Sequence, residues 1–175
     1  MSTGTTAGLG TTSTMMEDAV APRIPDANAL IPEIQQVAGA LIKATSNGSL
    51  PTTTMSLVYL RASHIVGNTY QTIRHSVDLR KAGESEERIA TVATWWDAPY
   101  FTEPERAALA MTDAVFQPNP RGGERVPDEV FAEAAKHYDD KALATLLVLL
   151  ASASFWMTIA VVLKPPPIGQ ETEAA

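Results

Sequence analysis

From Ala142 to Leu163 the chain reads ALATLLVLLASASFWMTIAVVL without one charged residue, and Lys141 and Lys164 bound it on either side. A helix that is apolar all round has to be buried, in lipid or among other helices, and this one is long enough for either. Thr145, Ser152, Ser154, Thr158 and the many alanines dilute its apolarity. The remaining helices are amphipathic and need a central partner, so a buried core helix is expected rather than a membrane span.

The rest of the sequence reads as helix throughout, giving an all-α bundle of about seven helices with no strand and no internal repeat. An Asx cap at Asp26 or Asn28 opens the first, which runs to Gly48 with Leu30, Ile34, Val37, Leu41 and Ile42 on one stripe. Pro51 and the threonines after it suit the first turn of the next, carrying Leu57 to Ile65. Tyr70 to Lys81 continues it past Gly67, and Gly83 stops it. Ser85, followed by Glu86 and Glu87, opens ERIATVATWW. Thr102 and Glu105 form a capping box, Asp128 caps EVFAEAAKHY, and Asp139 or Asp140 caps the long apolar helix. Residues 1–20, rich in Ser, Thr and Gly, are expected to be a disordered leader, 21–164 the folded domain and 165–175 a flexible tail. The leader lacks the basic start and apolar run of a secretory signal, and a cytoplasmic location is expected.

Thirteen Lys and Arg stand against twenty Asp and Glu, with no basic run, so the chain lacks the footprint of a nucleic-acid binder. There is no cysteine, hence no disulfide framework and no thiolate metal site. Of the three histidines, His64 and His75 lie about three helical turns apart, too far to chelate one ion, and no carboxylate joins them at ligand spacing. No metal and no cofactor are expected.

What does stand out is a polar column. If Ser56 to Gly83 is read as helix, His64, Asn68, Gln71 and His75 share one face, among Leu57, Leu60 and Ile73. His75 is a candidate acid or base, since imidazole titrates nearest neutrality, and equally a hydrogen-bonded core histidine. Asn68 and Gln71 offer amide donors for a ligand oxygen, or satisfy one another as fillers. Arg61 and Arg74 are candidate anchors for an acidic ligand, or else an ion pair forms with Asp78, four residues after Arg74. Tyr59 and Tyr70 are candidates for the same cavity. Trp95, Trp96, Tyr100 and Phe101 make either a pocket wall or a lid over a helix junction.

Several separated pieces then resemble one family in order. LVYLRASHIVG at Leu57 to Gly67, His75, Gly83, WWDAPYF at Trp95 to Phe101 and ERAAL at Glu105 to Leu109 are similar to the core of the alkylhydroperoxidase D-like and carboxymuconolactone decarboxylase family. The resemblance implies a helical bundle that assembles as a homo-oligomer, a trimer or a multiple of it. Peroxidase members carry E-x(11)-C-x(2)-C-x(3)-H, and the matching positions here are Ser56, Asn68, Gln71 and His75. Only the histidine is kept. Thiol peroxidase chemistry needs a thiolate that is oxidised and regenerated, and this chain has none. The expectation is therefore a cofactor-free lyase or isomerase of the carboxymuconolactone decarboxylase kind, acting on a small carboxylate or lactone. His75 would be its catalytic group, with Asn68, Gln71, Arg61, His64 and Ser56 binding the ligand. The alternatives are a non-catalytic binding or scaffold protein of the same fold, or an alkylhydroperoxidase in family label alone.

Overall fold

The computed structural model describes residues 22–25, 27–117 and 124–166. Among them there are helices and no strand: α1 (Ala27–Leu30), α2 (Glu33–Thr45), α3 (Thr52–Val66), α4 (Thr69–Lys81), α5 (Glu86–Ala90), α6 (Glu103–Phe116), α7 (Asp128–Ala135) and α8 (Asp140–Leu163). The leader, the cap side chains expected at Asp26 or Asn28, part of the Pro-rich loop and most of the tail lie outside the described residues.

The long apolar helix, α8, runs through the bundle and packs against α2, α3, α4, α6 and α7. Leu146, Leu149, Leu150, Ala153 and Met157 are its core side, while Leu147, Val161 and Val162 are exposed. Asp139 accepts a hydrogen bond from the Ala142 amide at 2.8 Å and so caps it. The capping box of Thr102 and Glu105 opens α6, and Ser85 caps α5.

Four local expectations need correction. The first helix is split, because Pro32 removes an amide and crowds the preceding turn, so α1 is one turn and α2 restarts after it. The stripe on α1 and α2 is largely open, with Leu30, Val37 and Ile42 exposed. Asp128 is the first residue of α7, and Pro127 holds the cap position. The helix after Ser85 tightens to a 3-10 turn at Thr91–Thr94, where the Thr91 hydroxyl bonds the carbonyls of Glu87 and Arg88 and competes with the ladder.

The pivot of the fold is Gly67. It adopts φ 72°, a left-handed conformation, and ends α3 by turning its amide back to the Ser63 carbonyl. Asn68 follows in extended conformation, and its side chain accepts from the Gln71 amide at 2.9 Å, starting α4. The resulting α3–α4 hairpin is pinned by the Ser63–Thr72 hydroxyl pair at 2.8 Å. The stretch read as one helical face is therefore two helices, and its polar residues are distributed to different sides of them.

Candidate functional site

Two polar environments flank the hairpin. On the side of α6, Arg61 is buried and its guanidinium grips the Asp113 carboxylate through Nε at 2.5 Å and Nη2 at 3.2 Å, while Nη1 donates to the Ala93 carbonyl at 2.8 Å. Its charged plane lies 5.3 Å from the Trp96 ring centroid, and the Trp95 indole N–H donates to the same carboxylate at 3.1 Å. Arg61 is thus committed to an ion pair, though with Asp113 rather than Asp78. The aromatics at Trp95 and Phe101 pack over Leu57, Leu60, Leu79 and Leu109, so this segment is a lid over a helix junction and not a pocket wall.

On the other side, a cavity of about 840 Å³ opens between α2, α3, α4 and α8, with Pro22, Ile24 and Pro25 across one edge. The short strap they form is held by the Arg23 amide on the Leu163 carbonyl at 2.8 Å and its guanidinium on the Val162 carbonyl at 3.3 Å. Ser56 and Tyr59 reach the cavity from α3, and Gln71, Arg74, His75 and Asp78 from α4. Leu149, Trp156 and Ile159 face them from α8.

His75 is 8% exposed and lies flat on Tyr59, with ring centroids 4.5 Å apart and planes within 8°. The Tyr59 hydroxyl in turn pairs with Ser152 at 2.9 Å, which fixes the stack to α8. Nδ1 of His75 is sealed from solvent without a hydrogen-bond partner, and the Asp78 carboxylate stands 3.4 Å from it, just outside bonding geometry. Burial holds the imidazole down to about 4, and the Asp78 carboxylate pulls only partly the other way. At neutral pH the ring is uncharged. Burial likewise pushes the Tyr59 phenol above its ordinary range. Gln71 is buried at 6% exposure, and its side-chain amide makes no hydrogen bond among the described residues.

Of the candidate residues, Ser56, Gln71 and His75 meet at the cavity. Asn68 is buried but spent on capping α4, and it does not line the cavity; neither does His64, whose imidazole is lowered by burial and by the Arg61 charge. Tyr59 and Tyr70 do line it. Trp156 went unrecognised in the sequence, whereas the prolines of APRIPD at Ala21 to Asp26 do predict a chain extended across the domain entrance, where the strap of Pro22, Ile24 and Pro25 lies. The only sequence signal for Trp156 was its seven-residue spacing from Leu149 along α8, which a helix apolar all round makes uninformative. Among the described residues no three His, Asp or Glu side chains gather as a metal site.

Comparison with known proteins agrees with this fold. Residues 32–114 match the model of the carboxymuconolactone decarboxylase family. A protein of unknown function from Agrobacterium tumefaciens, proposed as the antioxidant defence protein AhpD, superposes with a TM-score of 0.75 at 28% identity, covering 83% of this chain and 97% of its own. Over the matched segment, in the fold and in the ordered motifs, the chain is similar to the carboxymuconolactone decarboxylase family, and it contains no cysteine. The uncharacterized protein YdfG of Bacillus subtilis (strain 168) is 28% identical over 133 residues, 75% of this chain and 88% of that protein. The debrominase Bmp8 shares the fold, with a TM-score of 0.69 at 18% identity over 81% of this chain and 75% of its own. Bmp8 has also been crystallised in complex with 2,3,4-tribromopyrrole.

Proposed function

We propose that this protein is a cofactor-free acid/base enzyme, a lyase or isomerase acting on a small-molecule carboxylate or lactone held in the cavity between α2, α3, α4 and α8. The observation that carries the reading is the meeting of an uncharged His75, Ser56 and a Gln71 side chain without a hydrogen bond among the described residues at one cavity. A buried amide left without a partner costs stability, and a ligand oxygen in the cavity supplies one to Gln71. The fold-mate Bmp8, which binds a small aromatic molecule, is compatible with a cavity of this kind.

In the proposed reaction the neutral imidazole takes a proton from the ligand, and the electron pair left behind moves onto the adjacent carbonyl oxygen. The Gln71 amide and the Ser56 hydroxyl donate to that oxygen. Asp78, close to Nδ1, stabilises the transient imidazolium, which then returns its proton to a different atom of the ligand. Electrons stay on the ligand throughout, so the step needs no thiol. The test is proton exchange in heavy water, followed by NMR, over a panel of γ-lactone acids and keto acids. Saturable exchange or turnover is expected, with His75→Gln slowing it at least about 100-fold. An unchanged rate in His75→Gln sinks the acid/base reading, and rapid peroxide consumption by this chain would contradict it outright.

Self-association, as a trimer or a multiple of it, belongs to the same proposal. It is supported by the apolar side chains left open on α2 and α8, among them Val37, Leu147, Val161 and Val162. Light scattering during gel filtration tests it, and a monomer at micromolar concentration would rule it out.

A further inference from the structure

We infer that the cavity takes an amphipathic monoanion, a carboxylate on an apolar body larger than a small lactone acid, with Arg74 as the group that holds the carboxylate. This rests on the reading of the cavity as a ligand site.

Size is the first argument. At about 840 Å³ the cavity stands at the upper end of the roughly 300–1,000 Å³ typical for drug-sized ligands. A compact lactone acid leaves much of it wet.

The second argument is its asymmetry. Among the described residues, every charged side chain lining it comes from α4: Arg74, Asp78 and Lys81. The facing wall, built from the strap, α2 and α8, presents Ile24, Ile42, Trp156, Ile159 and Leu163 and no charge. Ile42 is 62% exposed, apolar surface that none of the described residues covers.

The third argument is the state of Arg74. Asp78 is one helical turn away, yet the closest basic group to its carboxylate is the His75 imidazole, and Arg74 makes no ion pair or hydrogen bond among the described residues. It lines the same cavity as Tyr59 and His75, and its charge is one of the smaller influences on both, offsetting part of the rise that burial gives the Tyr59 phenol and adding to the fall that burial gives the His75 imidazole. With Lys81 it makes the polar wall net positive in a chain whose net charge is −7. A carboxylate seated on Arg74 lays its apolar body across the α2–α8 wall, beside His75.

The experiment is calorimetric titration of the full chain with butanoate, hexanoate, octanoate and the uncharged probe octan-1-ol. Affinity should rise about threefold to fourfold per added methylene, since each is removed from water. Octan-1-ol should bind about tenfold more weakly than octanoate, and Arg74→Gln should weaken octanoate by about the same factor while leaving octan-1-ol unaffected. Arg74 is exposed, so the variant keeps the fold. Affinity that is flat with chain length, or octanoate binding indifferent to Arg74→Gln, overturns the inference. The two proposals separate cleanly: chain-length and Arg74 dependence without His75-dependent exchange leaves the ligand class and removes the enzyme, and exchange on short acids with flat affinity does the reverse.

Discussion

Arg61 and His75 come from the same hairpin, one on each helix, and both are buried, but their surroundings differ in kind. Around Arg61 the donors of the guanidinium are directed to Asp113 and a backbone carbonyl, and an indole covers its face. Around His75 the sealed Nδ1 atom has only the Asp78 carboxylate at 3.4 Å, the neighbouring Gln71 side chain makes no hydrogen bond among the described residues, and a cavity adjoins both residues. A satisfied buried polar group is framework, since it repays its desolvation within the protein. An unsatisfied one facing space is where an outside molecule can supply the missing bond.

The sharpest way to break that contrast is to strip each side and compare. Asp113→Ala leaves the buried Arg61 cation unpaired and should cost about 3 kcal/mol in urea unfolding, with ligand affinity of the folded protein unchanged. A loss under about 1 kcal/mol would mean that the pair is not framework.

Acid should probe the other side. The unfolded imidazole of His75 titrates near its ordinary 6.5 and the folded one near 4, so the unfolded chain binds the extra proton between those values. Stability is therefore full above about pH 6.5 and falls as the pH drops toward 4, by up to roughly 3 kcal/mol from this group. His75→Phe keeps the stack on Tyr59 and removes the titrating ring. Denaturation curves at pH 7, 5.5 and 4.5 should show the variant losing distinctly less than the parent, and parallel losses would place His75 in a solvated setting. Activity should likewise hold down to near pH 4.5 before its acid limb appears.

The smallest effect tests the hairpin's turn. Asn68→Ala removes the α4 cap and should cost about 1 kcal/mol in stability, with ligand affinity intact. If affinity falls and stability does not, position 68 belongs to the site after all.

Much of this contrast could be read in the sequence, and the part that could not has a single cause. The capping residues Ser85, Thr102, Glu105 and Asp139 act locally, so their roles were legible from spacing alone. His75, Gln71 and Ser56 were legible because they occupy positions that the family uses. His64 was misgrouped with them because the left-handed Gly67 rotates α3 relative to α4, and Asn68, which follows Gly67, because its side chain is taken up as the cap of α4. The Arg61–Asp113 pair joins residues on α3 and α6, and no periodicity along either helix reveals it. The apolar wall contributed by Ile24, Ile42 and Trp156 comes from three distant segments and exists only once α8 is in place.

The flat stack of Tyr59 on His75 gives the molecule a built-in reporter. Protons on the imidazole edge sit in the ring current of the phenol, which shifts their resonances upfield, away from those of His64 and His137. A proton arriving on the ring and a guest that slides the two planes apart both move those resonances downfield, but only the first follows pH and only the second follows guest concentration. An unlabelled sample in a spectrometer would then count occupancy and protonation separately.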